Sequence, residues 1–248
     1  MSQEVLDKHY RRIANRYSDY LSYSDDFVPT LAAKMAEMLR LQEDDVLVDL
    51  GGGSGIYTAA LLDQVELREP VVLVDYFAEM LEQVPDDLPV EKVNMDALAF
   101  ASEPRRYDKV LIKETVHHID DRPLLMRRLY ERLEPGGALL LVHVPPELDY
   151  PLFEAALERA KSWHADPDEL ESQLREVGFE TDRDAVDWRH RLPKQRYFDM
   201  VASGYMSVLS SFSDEELRRG VEEMAETHAD AEVLEFTDHF DYLVGYKQ

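Results

Sequence analysis

The stretch that most constrains this chain is residues 46–55, Val-Leu-Val-Asp-Leu-Gly-Gly-Gly-Ser-Gly. An apolar run from Val46 to Leu50, interrupted only by Asp49, breaks into a glycine-rich turn, and a helix-like stretch follows from Ile56. A strand, a glycine turn and a helix in this order form the first βα unit of a nucleotide-binding α/β sheet. Glycine is required there because the turn is tight and because a side chain would block a ligand lying against the backbone.

The spacing of these glycines excludes the dinucleotide fingerprint. Gly51, Gly53 and Gly55 give G-x-G-x-G, and Ile56 stands where G-x-G-x-x-G needs its last glycine. A nicotinamide-dependent oxidoreductase is therefore a less favoured alternative, since the sequence also shows no Tyr-x-x-x-Lys-type catalytic pair.

Residues 46–55 resemble the first motif of the class I S-adenosylmethionine-dependent methyltransferases, V-L-D-x-G-x-G-x-G. The resemblance, which is to small-molecule enzymes of the methyltransferase type 11/25-like group, implies S-adenosyl-L-methionine as cofactor. It also implies an α/β fold, a doubly wound seven-stranded Rossmann-like sheet in the order 3-2-1-4-5-7-6 with the last strand antiparallel. The expected reaction is methyl transfer to an oxygen or nitrogen of a small metabolite.

Later segments resemble the same family in the same order. Val71–Val74 is typical of a buried parallel strand, and Asp75 at its end lies twenty positions after Gly55, which suits a carboxylate that accepts hydrogen bonds from ribose hydroxyls. Asp96 follows a predicted third strand, and the family's aspartate at this place accepts from the adenine amino group. The cofactor-binding residues that we predict are Tyr17, Asp49, Gly51, Gly53, Asp75, Tyr76, Met80, Asp96, Ala97 and Lys113.

The N-terminal region is expected to cover the cofactor. Residues 4–21 carry apolar side chains three or four positions apart, which predicts an amphipathic helix. Ala14–Ser18 resembles the A-x-x-Y-D/S pattern of the family's lid helix, and this resemblance makes Tyr17 a predicted contact. Packing on the domain is the usual meaning of an aromatic stripe such as Tyr10, Tyr17 and Tyr20, and it is the alternative explanation. We expect residues 1–40 to form the lid helices.

Three histidines follow predicted strands at the edge where ligands of such sheets bind. His117 and His118 come after the strand that ends at Lys113, and His143 closes the fifth strand. Removing a proton from an oxygen or nitrogen acceptor needs a base within hydrogen-bond reach, and histidine titrates near neutral pH. For any single one of these histidines, packing or a bond to the backbone is the simpler explanation. Among the three together, however, we expect at least one to border the acceptor pocket. The predicted catalytic residues are His118 first, then His117 and His143.

No metal site is predicted. The histidines lack ligand spacing such as H-x-x-x-H, and the chain has no cysteine, which excludes thiolate metal sites and methyltransferases that work through cysteines. Lys113–Val116 stands where adenine- and glutamine-modifying enzymes carry Asn/Asp-Pro-Pro-Tyr/Phe. The substrate is therefore expected to be a small metabolite.

The strongly negative net charge limits which partners the protein can bind. The chain has 52 acidic and 27 basic residues, a net charge of −25, and such an acidic protein repels phosphate backbones and anionic membranes. The sequence shows no signal-peptide pattern and no apolar run of membrane-spanning length, so a cytoplasmic location is expected. Whether the protein is a monomer or a homodimer stays open.

The C-terminal part is predicted to carry a helical insertion. Residues 190–229 are too apolar for a solvent loop, and they form either a cap over the substrate or a helical pair that completes the core. No repeat or linker divides residues 1–248, so a single methyltransferase domain is expected. A non-catalytic protein that keeps the cofactor fold is the remaining alternative.

Overall fold

A seven-stranded mixed sheet forms the centre of the protein, in the order β3-β2-β1-β4-β5-β7-β6. The computed structural model describes residues 9–14 and 24–248. Strands β1 to β5 run parallel, whereas β7 is antiparallel to both β5 and β6. This confirms the predicted doubly wound α/β fold and its antiparallel last strand. The strands are β1 (Leu47–Leu50), β2 (Val71–Asp75), β3 (Val90–Asn94), β4 (Tyr107–Lys113), β5 (Leu133–His143), β6 (Glu180–Pro193) and β7 (Val233–Tyr246).

Helices cover both faces of this sheet. In the described part of the chain they are α1 (Phe27–Leu39), α2 (Ile56–Leu62), α3 (Ala78–Leu81), α4 (Ala97–Phe100), α5 (Arg122–Arg132), α6 (Glu154–Trp163), α7 (Pro167–Val177), α8 (Lys194–Ala202) and α9 (Asp214–Thr227). Two 3₁₀ turns lie at Val116–His118 and Ser207–Ser211. Residues 9–13 are also helical, within the segment predicted to be a helix. None of these helices has both the length and the apolar content needed to cross a membrane.

The central strands are apolar because helices bury them on both faces. Val48 and Leu50 of β1 pack with α5 and α7 on one face, whereas Leu47 packs with α1 and α2 on the other. Helix α1 is therefore part of the core. The prediction that residues 1–40 form lid helices is wrong for this helix. Its buried side chains are Phe27, Leu31, Ala32, Met35, Met38 and Leu39.

A third apolar cluster joins the N-terminal segment to the C-terminal helices. Ile13 packs there with Phe153 of the segment before α6, Val201 of α8 and Leu217 of α9. The helical insertion thus has a core of its own beside the sheet. The segment that docks against it belongs to the opposite end of the chain.

The start of this insertion differs from the prediction. His190–Pro193 belong to β6, and the helices begin only at Lys194. The reason is visible in the burial pattern, since His190 and Leu192 are buried while Arg191 between them is exposed, which is the period of a strand. In register with β7, His190 lies opposite Phe236.

Candidate functional site

The glycine turn lies at the carboxyl end of β1, and its glycines are needed for both backbone conformation and packing. Gly51 and Gly53 have φ of +84° and +56°, a region that side chains disfavour. A Cβ atom on Gly51 would collide with the side chain of Thr115, and one on Gly53 would lie 3.1 Å from Cε of Met80. The close packing at both positions explains why glycine is needed there.

Asp75, at the end of β2, fixes this turn. Its Oδ2 accepts the backbone N–H of Gly53 at 2.9 Å, and its Oδ1 accepts the backbone N–H of Phe77 at 2.8 Å. Burial raises the pKa of Asp75 to about 6. A carboxylate offers about four lone-pair positions, so both oxygens can accept further hydrogen bonds.

A cleft opens around the turn, and we call it the glycine-turn cleft. Its empty volume is about 780 Å³ with the open mouth included. Eight of the ten residues predicted to contact the cofactor line it: Gly51, Gly53, Asp75, Tyr76, Met80, Asp96, Ala97 and Lys113.

Of the other two predicted contacts, Asp49 is not among the described residues that line this cleft. Tyr17 lies outside the described residues. Asp49 lies behind the turn, 2 % exposed, where its Oδ2 accepts the hydroxyl of Thr58 at 2.5 Å. A Cβ on Gly52 would come within 2.7 Å of the Asp49 carboxyl group. Asp49 therefore braces the turn against α2, and burial raises its pKa to about 6.

A second cavity of about 790 Å³ adjoins the first, and we call it the histidine cavity. Tyr10, Lys113 and Glu114 line both spaces and so form the boundary between them. The described lining of the histidine cavity consists of His9, Tyr10, Phe27, Tyr57, Lys113, Glu114, His117, Val144, Tyr150, His164, Tyr205, Met206, Ser207, Val208, Asp238 and Phe240.

Lys113 lies among rings and carboxylates at this boundary. Its Nζ is 4.3 Å from the ring centroid of Tyr57 and 5.0 Å from that of Phe240. Burial lowers the pKa of Lys113, and the carboxylates of Glu114 and Asp238 oppose that shift. The cavity wall thus supplies its own cation to two of its aromatic rings.

Glu114 has an unusual backbone conformation, with φ of +50°. Its carboxylate Oε1 accepts the backbone N–H of Val144 at 2.7 Å, which ties the end of β4 to the residue after β5. Burial raises the pKa of Glu114, and Lys113 opposes that shift. A non-glycine residue at positive φ stores strain, and such residues cluster at functional sites.

The structure separates the three predicted catalytic histidines. His118 lines the glycine-turn cleft, with Nε2 3.0 Å from the hydroxyl of Tyr10, whereas His117 lines the histidine cavity, with Nε2 3.5 Å from Oγ of Ser207. Their ring centroids are 4.0 Å apart. His143 is not among the described residues lining either space, because its ring is 1 % exposed in the core with Nδ1 3.2 Å from the carbonyl oxygen of Val144.

Burial also changes the basicity of these imidazoles. It lowers the pKa of His118 to about 3, with His9 adding to the shift, and it lowers the pKa of His117 well below the usual value. It lowers the pKa of His143 as well. All three rings are therefore neutral at pH 7.

Sequence reasoning missed three further histidines near the histidine cavity. His9 and His164 line it, and burial lowers the pKa of each to about 4. His190 is buried with Nε2 2.6 Å from Oδ2 of Asp238, another lining residue. Only the strand-like alternation around His190 could have predicted its inward direction. Within the described ranges, no three carboxylate or imidazole side chains are placed to hold a metal ion.

Comparison with known proteins gives a family match and distant relatives. Residues 15–184 match the family model described as a methyltransferase domain. Phosphoethanolamine N-methyltransferase 3 of Arabidopsis thaliana is 26 % identical over 207 residues, which cover 78 % of this chain but only 42 % of that enzyme. The Escherichia coli ubiquinone/menaquinone biosynthesis C-methyltransferase UbiE is 26 % identical over 172 residues, covering 57 % of this chain and 68 % of UbiE.

Solved structures share the fold at low sequence identity. One is Haemonchus contortus phosphoethanolamine N-methyltransferase 2 in complex with S-adenosyl-L-methionine. It matches with a TM-score of 0.57 and 18 % identity, over 88 % of this chain and 52 % of that one. The chain thus spans about half the length of the phosphoethanolamine methyltransferases that it resembles.

Proposed function

The chain belongs to the methyltransferase domain family, and on that premise we propose that it transfers a methyl group from S-adenosyl-L-methionine to an oxygen or nitrogen of a small molecule. The Haemonchus enzyme binds this cofactor, which supports the assignment. The relatives' names cover nitrogen and carbon as acceptor atoms, so the acceptor has to be inferred from this chain's own cavity.

The observation that carries the proposal is the convergence of the predicted cofactor residues on the glycine-turn cleft. Gly51 and Gly53 line the cleft with backbone alone, and Asp75 keeps lone pairs for ribose hydroxyls. Asp96 would accept from the adenine amino group, and Lys113 would lie at the methionine end. These residues fit the cofactor, which supplies an activated methyl group when bound.

The chain's own part in the reaction is to orient the acceptor and exclude water. Tyr10 can contact both the cofactor and the acceptor, because it lines the glycine-turn cleft and the histidine cavity. Its ring stacks on Phe77 with centroids 4.6 Å apart. Its hydroxyl pairs with His118. We propose that the acceptor occupies the histidine cavity and that His117 or His118 receives its proton.

The remaining predictions extend this proposal. A small-molecule acceptor, rather than a nucleic acid, is supported by the net charge of −25. We propose that residues 1–248 form one domain whose helices from Lys194 onward cap the histidine cavity, since Tyr205 and Val208 of that region line it. A cytoplasmic location stays a prediction.

A thermal-shift assay with S-adenosylhomocysteine tests the cofactor site. Wild-type protein is expected to gain several degrees on binding, and Asp75→Ala and Gly53→Val should each abolish the gain. Asp96→Ala, at an exposed position of the same cleft, should reduce it. Asp86→Ala, an exposed carboxylate elsewhere, is the matched control and should keep the full gain.

Unchanged shifts in the Asp75 and Gly53 variants would defeat the site assignment. Circular dichroism of each unliganded variant separates a lost site from a failure to fold. Cofactor binding without turnover over a broad acceptor panel would favour the alternative of a non-catalytic binding protein.

A further inference from the structure

The histidine cavity contains three imidazoles to which the proposed cofactor site gives no role. His9 lies in the helical segment of residues 9–13, His117 in the turn after β4, and His164 directly after α6. We call these three residues the imidazole cluster. The rings of His117 and His164 have centroids 5.2 Å apart, so two members of the cluster are neighbours within the cavity.

Most nitrogens of this cluster lack a partner. Across residues 9–14 and 24–248, neither nitrogen of His9 or of His164 has a hydrogen bond, and neither does Nδ1 of His117. His9 is 2 % exposed and His164 is 8 % exposed, so bulk water does not solvate them freely. A buried polar group without a partner costs free energy. These nitrogens have almost no exposed surface, so a ligand in the cavity that the three residues line would pair with one of them once its imidazole ring turns toward it.

The walls around the cluster favour a flat ligand. Phe27, Tyr150 and Tyr205 line the same cavity. Two further rings, Tyr57 and Phe240, already face the ammonium group of Lys113. The cavity therefore offers aromatic surface and neutral hydrogen-bonding groups, with a protein cation in the place where a cationic ligand would gain most.

Resting on the proposed function, we infer that the acceptor is an uncharged hydroxylated aromatic compound, methylated on a hydroxyl oxygen that hydrogen-bonds to the imidazole cluster. A neutral imidazole has one N–H donor and one acceptor nitrogen, which matches a hydroxyl group that both donates and accepts. More than one hydroxyl on the ring would satisfy more than one member of the cluster.

Methyl transfer to a hydroxyl oxygen also moves a proton. An oxygen lone pair forms the new C–O bond, and the broken C–S bonding pair stays on the cofactor sulfur. The O–H bonding pair returns to oxygen while its proton passes to an imidazole nitrogen, from which it leaves to solvent. Each bond formed is thus matched by one broken.

Weakly basic imidazoles suit this transfer. Burial lowers the pKa of His9 and His164 to about 4, so they take protons only from stronger acids. A hydroxyl oxygen has a free lone pair, so it can attack first and becomes such an acid as the C–O bond forms and it gains positive charge. An alkylammonium nitrogen has no lone pair until a base has removed a proton with a pKa of about 10. Besides its tyrosines, the described lining of the cavity holds three further ionisable groups: Glu114, bonded to the backbone of Val144, Asp238, bonded to His190, and Lys113.

Isothermal titration with resorcinol and benzylamine, each added to the S-adenosylhomocysteine complex, tests the inference. Resorcinol is uncharged with two hydroxyls, and benzylamine is a cation on the same ring. We expect resorcinol to bind at least tenfold more tightly than benzylamine and to yield a mono-O-methyl ether with S-adenosylmethionine. His164→Phe keeps the ring but removes both nitrogens, and it should weaken resorcinol binding at least tenfold while changing S-adenosylhomocysteine affinity less than twofold.

The matched control is His239→Phe, the same change at a half-exposed ring on β7 that does not belong to the described lining of the histidine cavity. It should leave both affinities within twofold. Absence of resorcinol binding, equal binding of benzylamine, or resorcinol binding unaffected by His164→Phe overturns the inference while the proposed function stands. A wild-type protein that binds no S-adenosylhomocysteine defeats the proposed function and the inference with it.

Discussion

Asp75 accepts the backbone N–H of Gly53 at 2.9 Å, so the carboxylate expected to hold the ribose also holds the glycine turn beside it. The two parts of the proposed cofactor site are therefore not independent. A change in the charge of Asp75 alters both the hydrogen-bonding capacity of the cleft and the conformation of the backbone that lines it.

This coupling predicts a pH dependence of cofactor binding. Because burial raises the pKa of Asp75 to about 6, the carboxylate is ionised above that pH and protonated below it. Ribose hydroxyls donate to the ionised form, so S-adenosylhomocysteine affinity should be constant above about pH 7 and fall up to about tenfold per pH unit below pH 6. Titration calorimetry from pH 5 to pH 8 measures this.

Asp75→Asn is the control for that profile. It keeps the side-chain shape but cannot ionise, so binding should be weak at all pH values and its decline below pH 6 should be reduced. In the wild-type protein without ligand, protonation of Asp75 should also stabilise the fold as the pH falls below about 6. The reason is that the folded carboxyl group binds its proton more tightly than the unfolded one. The same decline in both proteins would contradict the role of Asp75.

The strained residue between the two cavities gives a second prediction. Glu114→Gln retains an acceptor for the buried N–H of Val144, so it should change the free energy of unfolding by less than about 1 kcal/mol. Glu114→Ala loses that acceptor and keeps the positive φ, and it should cost about 1–3 kcal/mol.

Glu114→Gly separates the two effects, since glycine relieves roughly 1 kcal/mol of backbone strain while the hydrogen bond is still lost. Urea unfolding should rank the variants Gln first, Gly second and Ala last. If Ala equals Gln, the bond to Val144 contributes nothing measurable.

The fold class and the strand order could be predicted from the sequence because strand and turn signals are local. The sequence predicts a third strand before Asp96 and a strand that ends at Lys113, and the structure has them at Val90–Asn94 and Tyr107–Lys113. Most of the predicted cofactor residues line one cleft because they sit at the ends of successive strands, which one edge of a parallel sheet brings together. The direction of a single side chain such as Asp49 was not predictable, since a helix packed behind the turn turns it inward.

The histidine cavity could not be predicted from spacing. His9, His117 and His164 lie far apart in the chain and on separate elements, so only the tertiary fold brings them together. For His143 the sequence predicted a site residue that the structure places in the core instead. A position at a strand end does not show toward which face of the sheet a side chain points. The alternation of Trp188, His190 and Leu192 was readable, and it would have extended the strand through residue 193.

The buried pair of His190 and Asp238 gives a third prediction. Their side chains are 1 % and 7 % exposed, with Nε2 and Oδ2 2.6 Å apart. His190→Phe should lower the free energy of unfolding by about 1–3 kcal/mol, because it leaves Oδ2 of Asp238 buried without this partner. The double variant His190→Phe/Asp238→Leu should recover most of that loss in urea unfolding. A double variant as unstable as the single one would show that shape, not this hydrogen bond, decides stability there.

His164→Phe should stabilise the protein while weakening acceptor binding. Removing two unpaired buried nitrogens should raise the free energy of unfolding at pH 7.5 by about 1–2 kcal/mol. The gain should grow as the pH falls, because the pKa of His164 is about 4 in the folded protein, against 6.5 for a histidine in an unfolded chain. Between these values the unfolded chain binds more protons, so the wild-type protein loses up to about 1.4 kcal/mol per pH unit at this residue and the variant does not.

Urea unfolding of both proteins at pH 7.5 and pH 5.5 measures the difference, with His239→Phe as the control that should show no gain. A stabilising substitution that removes a function is the signature of a site whose polar groups are kept unpaired for a ligand. If His164→Phe is neutral at both pH values, the imidazole is already satisfied, and the cost that we assign to its burial does not exist.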